Sequence, residues 1–261
     1  MHIVIHSSKA MRTDPQAGLR KPQLIAQAQE LDRYLKGMPA QQLAAMMKLS
    51  PALAEKTQAL IADWHADPGA QTAAIDAFIG DIYSGMQAPT LDARERAYAD
   101  EHLHILSGLY GALRPLDGIT PYRLEMGYKL PGLAVKTLYA YWGERIAALL
   151  PAAGLLVNLA AAEYFDAVGK YVDMERVVAP KFLTVSPKTG QPGFVVVHAK
   201  VARGAFARWL ITHQVADAQS LQDFAEIGYR FRPELSTPAE PVFVCEEFGG
   251  IGLSIRMQDK D

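Results

Sequence analysis

Cysteine is nearly missing: Cys245 is the one thiol in 261 residues. A single thiol excludes an internal disulfide and fits a reducing compartment, so a cytoplasmic location is expected. No apolar run approaches the ~20 residues that a membrane-spanning helix needs, so no membrane partner is expected. The opening Met1-His-Ile-Val-Ile-His reads as a strand and lacks the apolar core and cleavage site of an export signal. Neither sign of charge is in excess, with 26 basic against 28 acidic residues, so total charge does not point to nucleic acid. Gly-x-Ser-x-Gly, P-loop and dinucleotide fingerprints are absent. His102 and His104 are two apart, which on a helix separates them by about 160°. Cys245-Glu246-Glu247 is not a recognised ligand pattern. Neither a metal nor a cofactor is therefore expected.

Charge is unevenly spread. From Arg176 to Ala216 there are six cations (Arg176, Lys181, Lys188, Lys200, Arg203, Arg208) and no carboxylate, whereas 63–101 is rich in aspartate and glutamate. A near-neutral chain can therefore present a basic face. Helical spacing of Leu24, Ala28, Leu31 and Leu35 predicts a helix stopped by Gly37. Further helices are predicted over 41–48, 51–65, 92–104, 137–150 and 200–213, with short ones over 72–78, 163–168 and 221–225. A break is expected at Asp67-Pro-Gly. Strands are predicted over 2–6, at both ends of 105–126, and over 155–159, 177–185, 194–199, 229–231 and 242–247. No repeat or linker divides the chain, so 1–261 reads as one compact domain of α+β (mixed α/β) class.

The segment Ile105–Met126 is the most informative. It sets Arg114, Asp117, Arg123 and Glu125 among glycines, prolines and apolar side chains. Charge held that near a core is costly unless it is paired or ligand-bound, so the segment is expected to floor a cleft. Arg114 and Arg123 suit bidentate phosphate contact, or alternatively pair with Asp117 and Glu125. Lys9 follows the first strand, where α/β proteins place ligand contacts. Leu130-Pro-Gly-Leu-Ala-Val-Lys136-Thr137 offers a turn, a cation and a helix cap, although the second glycine of a helix-hairpin-helix is missing. Lys200, Arg203 and Arg208 fall within an arc of about 140° on one helix, separate from Phe206, Trp209 and Leu210. Asn158, Glu163 and Tyr164 are candidate catalytic groups, with glutamate as base and asparagine or tyrosine as donor, or else a satisfied polar cluster.

Six motifs in order resemble one family: Leu106-Ser-Gly-Leu-Tyr-Gly, Leu113-Arg-Pro-Leu-Asp, Pro121-Tyr-Arg-Leu-Glu-Met-Gly, Leu138-Tyr-x-x-Trp-Gly, Asn158-Leu-Ala-x-x-Glu-Tyr and Ala199-Lys-x-Ala-Arg-Gly. Together they resemble the YaaA peroxide-stress proteins nearly end to end. The resemblance implies a cytosolic mixed α/β protein that binds DNA in a basic cleft containing a helix-hairpin-helix-like element. It also implies a role in limiting iron-dependent damage during peroxide stress. Two positions depart from the family pattern. The first loop, usually Ser-Pro-Ala-Lys-Thr, is His6-Ser7-Ser8-Lys9-Ala10 here, and Asp166 replaces a common lysine. The expected mode is phosphate contact by Lys9, Arg114, Arg123, Lys136, Lys200, Arg203 and Arg208. The alternative is an enzyme acting on a nucleotide, nucleobase or damaged DNA through Asn158, Glu163 and Tyr164.

Overall fold

The apolar pentapeptide His2–His6 forms β1 and becomes the middle of a five-stranded sheet. Its neighbours are β5 (Leu103–Ser107) and β8 (Leu156–Asn158), both parallel to it. Outside them lie antiparallel β6 (Gly111–Leu113) and parallel β9 (Val177–Val178). Ile3, Val4 and Ile5 are all buried, as is every residue of β5. Continuous apolar runs of this kind mark strands covered on both faces. The computed structural model describes residues 1–66, 69 and 71–250. The break expected at Asp67-Pro68 lies outside the described residues.

A second sheet has the order β11 (Pro192–Gly193), β10 (Lys181–Val185), β13 (Val242–Cys245), β12 (Tyr229–Phe231). Two small pairings tie loops to the body: β2 (Ala10–Met11) with β4 (Phe78–Ile79), and β3 (Thr72–Ala73) with β7 (Gly118–Ile119). Helices α1 (Ile25–Lys36), α2 (Ala40–Met47), α3 (Pro51–Asp63), α4 (Ala74–Ala77), α5 (Asp81–Met86) and α6 (Ala93–His102) precede β5. After it come α7 (Leu138–Trp142), α8 (Ala162–Phe165) and α9 (Val196–His213). The Asp92/Glu95 capping box starts α6, each side chain accepting the other residue's backbone N–H. The mixed α/β class expected from the sequence is observed.

Helices α5 and α9 cross at glycine on both sides. A Cβ on Gly85 would lie 2.0 Å from the Val201 carbonyl oxygen, and one on Gly204 1.8 Å from that of Ile82. Backbone meets backbone there, which fixes α9 and therefore Lys200 and Arg203.

Several sequence expectations are corrected. The strand predicted over 194–199 is helical from Val196 onward. Three successive valines favour a strand locally, but the apolar face from Ala199 to Ile211 is buried along the whole helix and tertiary packing prevails. The helix predicted over 137–150 stops at Trp142. Gly143 has φ +52°, and only a 3-10 turn at Ala147–Leu149 follows. Residues 120–127 hold no strand and no helix. The hairpin Lys129–Thr137 is real, with the Leu130 N–H donating to the Lys136 carbonyl. With no helix before it and five residues in α7, it is a hairpin and a short helix rather than a helix-hairpin-helix. His102 and His104 do not diverge on a helix either. The helix ends at His102, His104 lies in β5, and both rings gather on His2 with centroids 5.2 and 5.5 Å away.

Candidate nucleic-acid cleft

Two parallel strands end on one side of the sheet. β1 delivers His6-Ser7-Ser8-Lys9, and β8 leads through Asn158 to α8 with Glu163 and Tyr164. Loops at the carboxyl ends of parallel strands are where open α/β sheets build ligand sites. An inner cavity of ≈ 350 Å³ opens there, lined among others by Ser7, Ser8, Tyr83, Tyr164 and Lys200. It adjoins an outer cleft of ≈ 1190 Å³ between α2 and the 127–136 hairpin. Lys9, Glu125 and Glu163 line both and form the sill between them.

The outer cleft carries five cations, Lys9, Lys48, Arg123, Lys129 and Lys136, against two carboxylates, Glu125 and Glu163. Lys9 Nζ lies 2.8 Å from Glu125 Oε2, and the Tyr128 hydroxyl donates to Glu125 Oε1 at 2.5 Å. Burial and that bond to Glu125 push the Tyr128 phenol well up. Glu125 therefore pairs with Lys9, and not with Arg123 as the sequence had allowed. The Nε–H of Arg123 is buried with no acceptor. A buried donor left without an acceptor is costly to the fold. Lys136 is exposed and donates to the Leu133 carbonyl, 3.0 Å away. The hairpin that carries it is pinned to α1 by the Tyr34 hydroxyl donating to the Pro131 carbonyl.

The other expected phosphate ligands stand elsewhere. Arg114 grips Asp117, which is 0% exposed, at 2.8 Å and also donates to the Lys21 carbonyl. Arg20 reaches the same carboxylate and Asp100, so this is the structural ion-pair network that the sequence allowed as the alternative for Arg114. Arg203 is half-buried and donates to the Ala160 carbonyl at 3.3 Å, and burial lowers its pKa. Arg208 donates to Thr90 Oγ1 at 2.7 Å. The basic arc of α9 is thus divided. Lys200 faces the inner cavity, while Arg203 and Arg208 tie the helix to neighbouring segments.

Asn158 Oδ1 accepts the N–H of Ala160, closing a turn. Glu163 Oε1 accepts the N–H of Gly127 at 2.8 Å, and a Cβ on Gly127 would come within 2.9 Å of that oxygen. The Tyr164 ring stacks on His6 at 4.7 Å, and its oxygen accepts a long hydrogen bond from Ser7. Burial keeps its phenol protonated. His6 Nδ1 accepts the N–H of Ala161. Burial, with Arg203 and Lys200 nearby, lowers its pKa to about 3, so the ring is neutral at physiological pH. Sequence reasoning missed Lys48, Lys129 and Tyr83. Lys48 follows α2 in a left-handed cap, and nothing in one dimension sets it against a hairpin eighty residues later. Among the described residues no group of three or more His, Cys, Asp or Glu is placed to hold a metal, and no helix is long and apolar enough to cross a membrane.

A family model described as peroxide stress protein YaaA matches residues 1–235. The chain is 56% identical over 261 residues to a UPF0246 protein of Salinispora tropica, covering 99% of both. It is 41% identical to the UPF0246 protein of Phenylobacterium zucineum over 256 residues, covering 93% of this chain and 94% of that one. With that of Magnetococcus marinus it shares 42% over 230 residues, 85% and 89% of the two chains. Matches that span the chain at such identity place it, by sequence and by the motifs lining its cleft, in the YaaA peroxide stress protein family.

Proposed function

We propose that this protein binds DNA in the outer cleft, mainly through phosphate contacts, and so acts in peroxide stress by limiting iron-dependent damage. The observation that supports this most is the excess of cations around one trough, five against two carboxylates. Lys48, Lys129 and Lys136 would follow the phosphates of the strand along the trough. Lys9 contributes less, because Glu125 already holds it. Contacts of this kind give affinity with little sequence preference and a steep dependence on salt.

Fluorescence anisotropy of a labelled duplex, titrated at several salt concentrations, tests it. Lys129→Glu with Lys136→Glu is expected to weaken binding more than tenfold. It should also reduce the log–log salt slope by about 0.9 for each phosphate that is no longer neutralised. Unchanged affinity in that double variant would dismiss the cleft as the binding site. The enzymatic reading retains Glu163 and Tyr164 at the inner cavity, while Asn158 is engaged in its turn. Incubation with abasic, oxidised and uracil-bearing duplexes separates the two, since a binding protein yields no product.

A further inference from the structure

The two sides of the outer cleft differ in chemistry. The α2–α3 side contributes Ala45, Met46, Leu49 and Leu53 with one cation, Lys48, and no carboxylate. Ala45 is exposed and the other three apolar residues are partly exposed, so this wall is open to a ligand. The opposite side, made by residues 123–136 and the sill, holds Lys9, Arg123, Lys129 and Lys136 together with both carboxylates. Those carboxylates are already engaged, Glu125 by Lys9 and Tyr128, and Glu163 by the Gly127 N–H. Lys48 and Lys129 are exposed and, among the described residues, paired with no carboxylate. At ≈ 1190 Å³ the cleft exceeds the ~300–1,000 Å³ usual for a small-molecule pocket.

We infer that the outer cleft selects a single DNA strand over a duplex, with phosphates along the 123–136 side and base faces against the α2–α3 wall. This rests on the DNA reading above and names the form of DNA that the site takes. A single strand is two-sided in the same way as the cleft, charged along its backbone and apolar on the faces of its bases. A duplex hides those faces in its stack and presents charged backbone on both edges, so the apolar wall would gain nothing from it. An amphiphile with one anionic head would engage one cation and leave the others along the trough without a partner. Burying base faces against apolar side chains adds affinity that is tolerant of sequence, because every base has such a face. Met46 suits that task, since its unbranched thioether adapts to purine and pyrimidine alike.

The test follows three labelled oligonucleotides of one length by anisotropy at equal salt: a mixed-sequence single strand, its duplex, and a fully abasic strand. Wild-type protein is expected to bind the single strand about tenfold more tightly than the duplex. The abasic strand keeps every phosphate and lacks the bases, and should bind about tenfold more weakly than the base-bearing one. Met46→Gln with Leu49→Gln should bring the preference for single strand over duplex close to one. Ala45→Gln, at an exposed helix position, should lower it too, and it keeps the test usable should the double variant fail to fold, which melting reveals. A duplex bound at least as tightly as the single strand, or an abasic strand bound as tightly as the base-bearing one, overturns the inference and leaves the DNA reading standing. An undiminished preference in the folded variants overturns it as well, because the wall then makes no contact with the bases. If none of the three binds, the DNA reading fails and the inference falls with it.

Discussion

Two arginines from one loop show how far burial and pairing decide a residue's role. Arg114 completes the charge of a carboxylate with no exposure, whereas Arg123 leaves a buried N–H without an acceptor. Arg114→Ala should therefore lower stability by about 3 kcal/mol, moderated by Arg20 remaining on Asp117, and leave DNA affinity unchanged. Urea unfolding beside anisotropy checks both halves. Arg123→Met should do the reverse. It removes an unsatisfied donor, so the melting temperature holds or rises while duplex affinity falls. A large loss of stability in Arg123→Met would mean that the side chain serves the fold instead. The sequence showed that these arginines sat unusually close to a core. It could not show which had a carboxylate within reach, because Asp117 pairs with its near neighbour and Glu125 turns to Lys9.

At the scale of elements, the α5–α9 crossing and the 129–137 hairpin set the site. Gly204→Ala places a methyl on the Ile82 carbonyl, and the two helices must separate. A loss of about 3 kcal/mol is expected in denaturant unfolding, at the upper end for overpacking because the obstacle is backbone. Displacing α9 also moves Lys200, which lines the inner cavity. Helix α9 shows why local pattern misleads at element ends. Val195-Val196-Val197 has strand character, yet the chain is already helical at Val196 because the buried face further along extends the helix backwards. The hairpin illustrates the converse. Pro131 and Gly132 announced a turn correctly, but the helix after it is five residues long because Gly143 turns left-handed.

Across the whole molecule, three imidazoles are held neutral in the sheet. Burial is the first cause in each: His6 titrates at about 3, and His2 and His104 at about 4, against 6.5 for a free imidazole. Between pH 4 and 6.5 the unfolded chain binds more protons than the folded one, so stability rises with pH across that window. It is fully present above about 6.5 and declines as pH falls toward 4. Melting followed from pH 7.5 to 4.5 should show that decline, and His104→Gln should flatten it. A wild-type melting temperature constant over this range would contradict the burial assignments. His2, His102 and His104 meet only because β1 lies beside β5 in register, a pairing of strands a hundred residues apart.

The sequence alone determined the family, the mixed α/β class, the central apolar strand and most helix positions. Each of these is written in local periodicity, caps or continuous motifs, which need no knowledge of distant partners. The tertiary structure decided which cations share a trough. Lys9, Lys48, Arg123, Lys129 and Lys136 come from three separate stretches of chain and gather where α2, the 120–127 segment and the hairpin converge. Arg114, Arg203 and Arg208 were consumed by a carboxylate, a carbonyl and a hydroxyl that folding brought to them. Charge is a property of a residue, but availability for a ligand depends on what packs beside it in three dimensions.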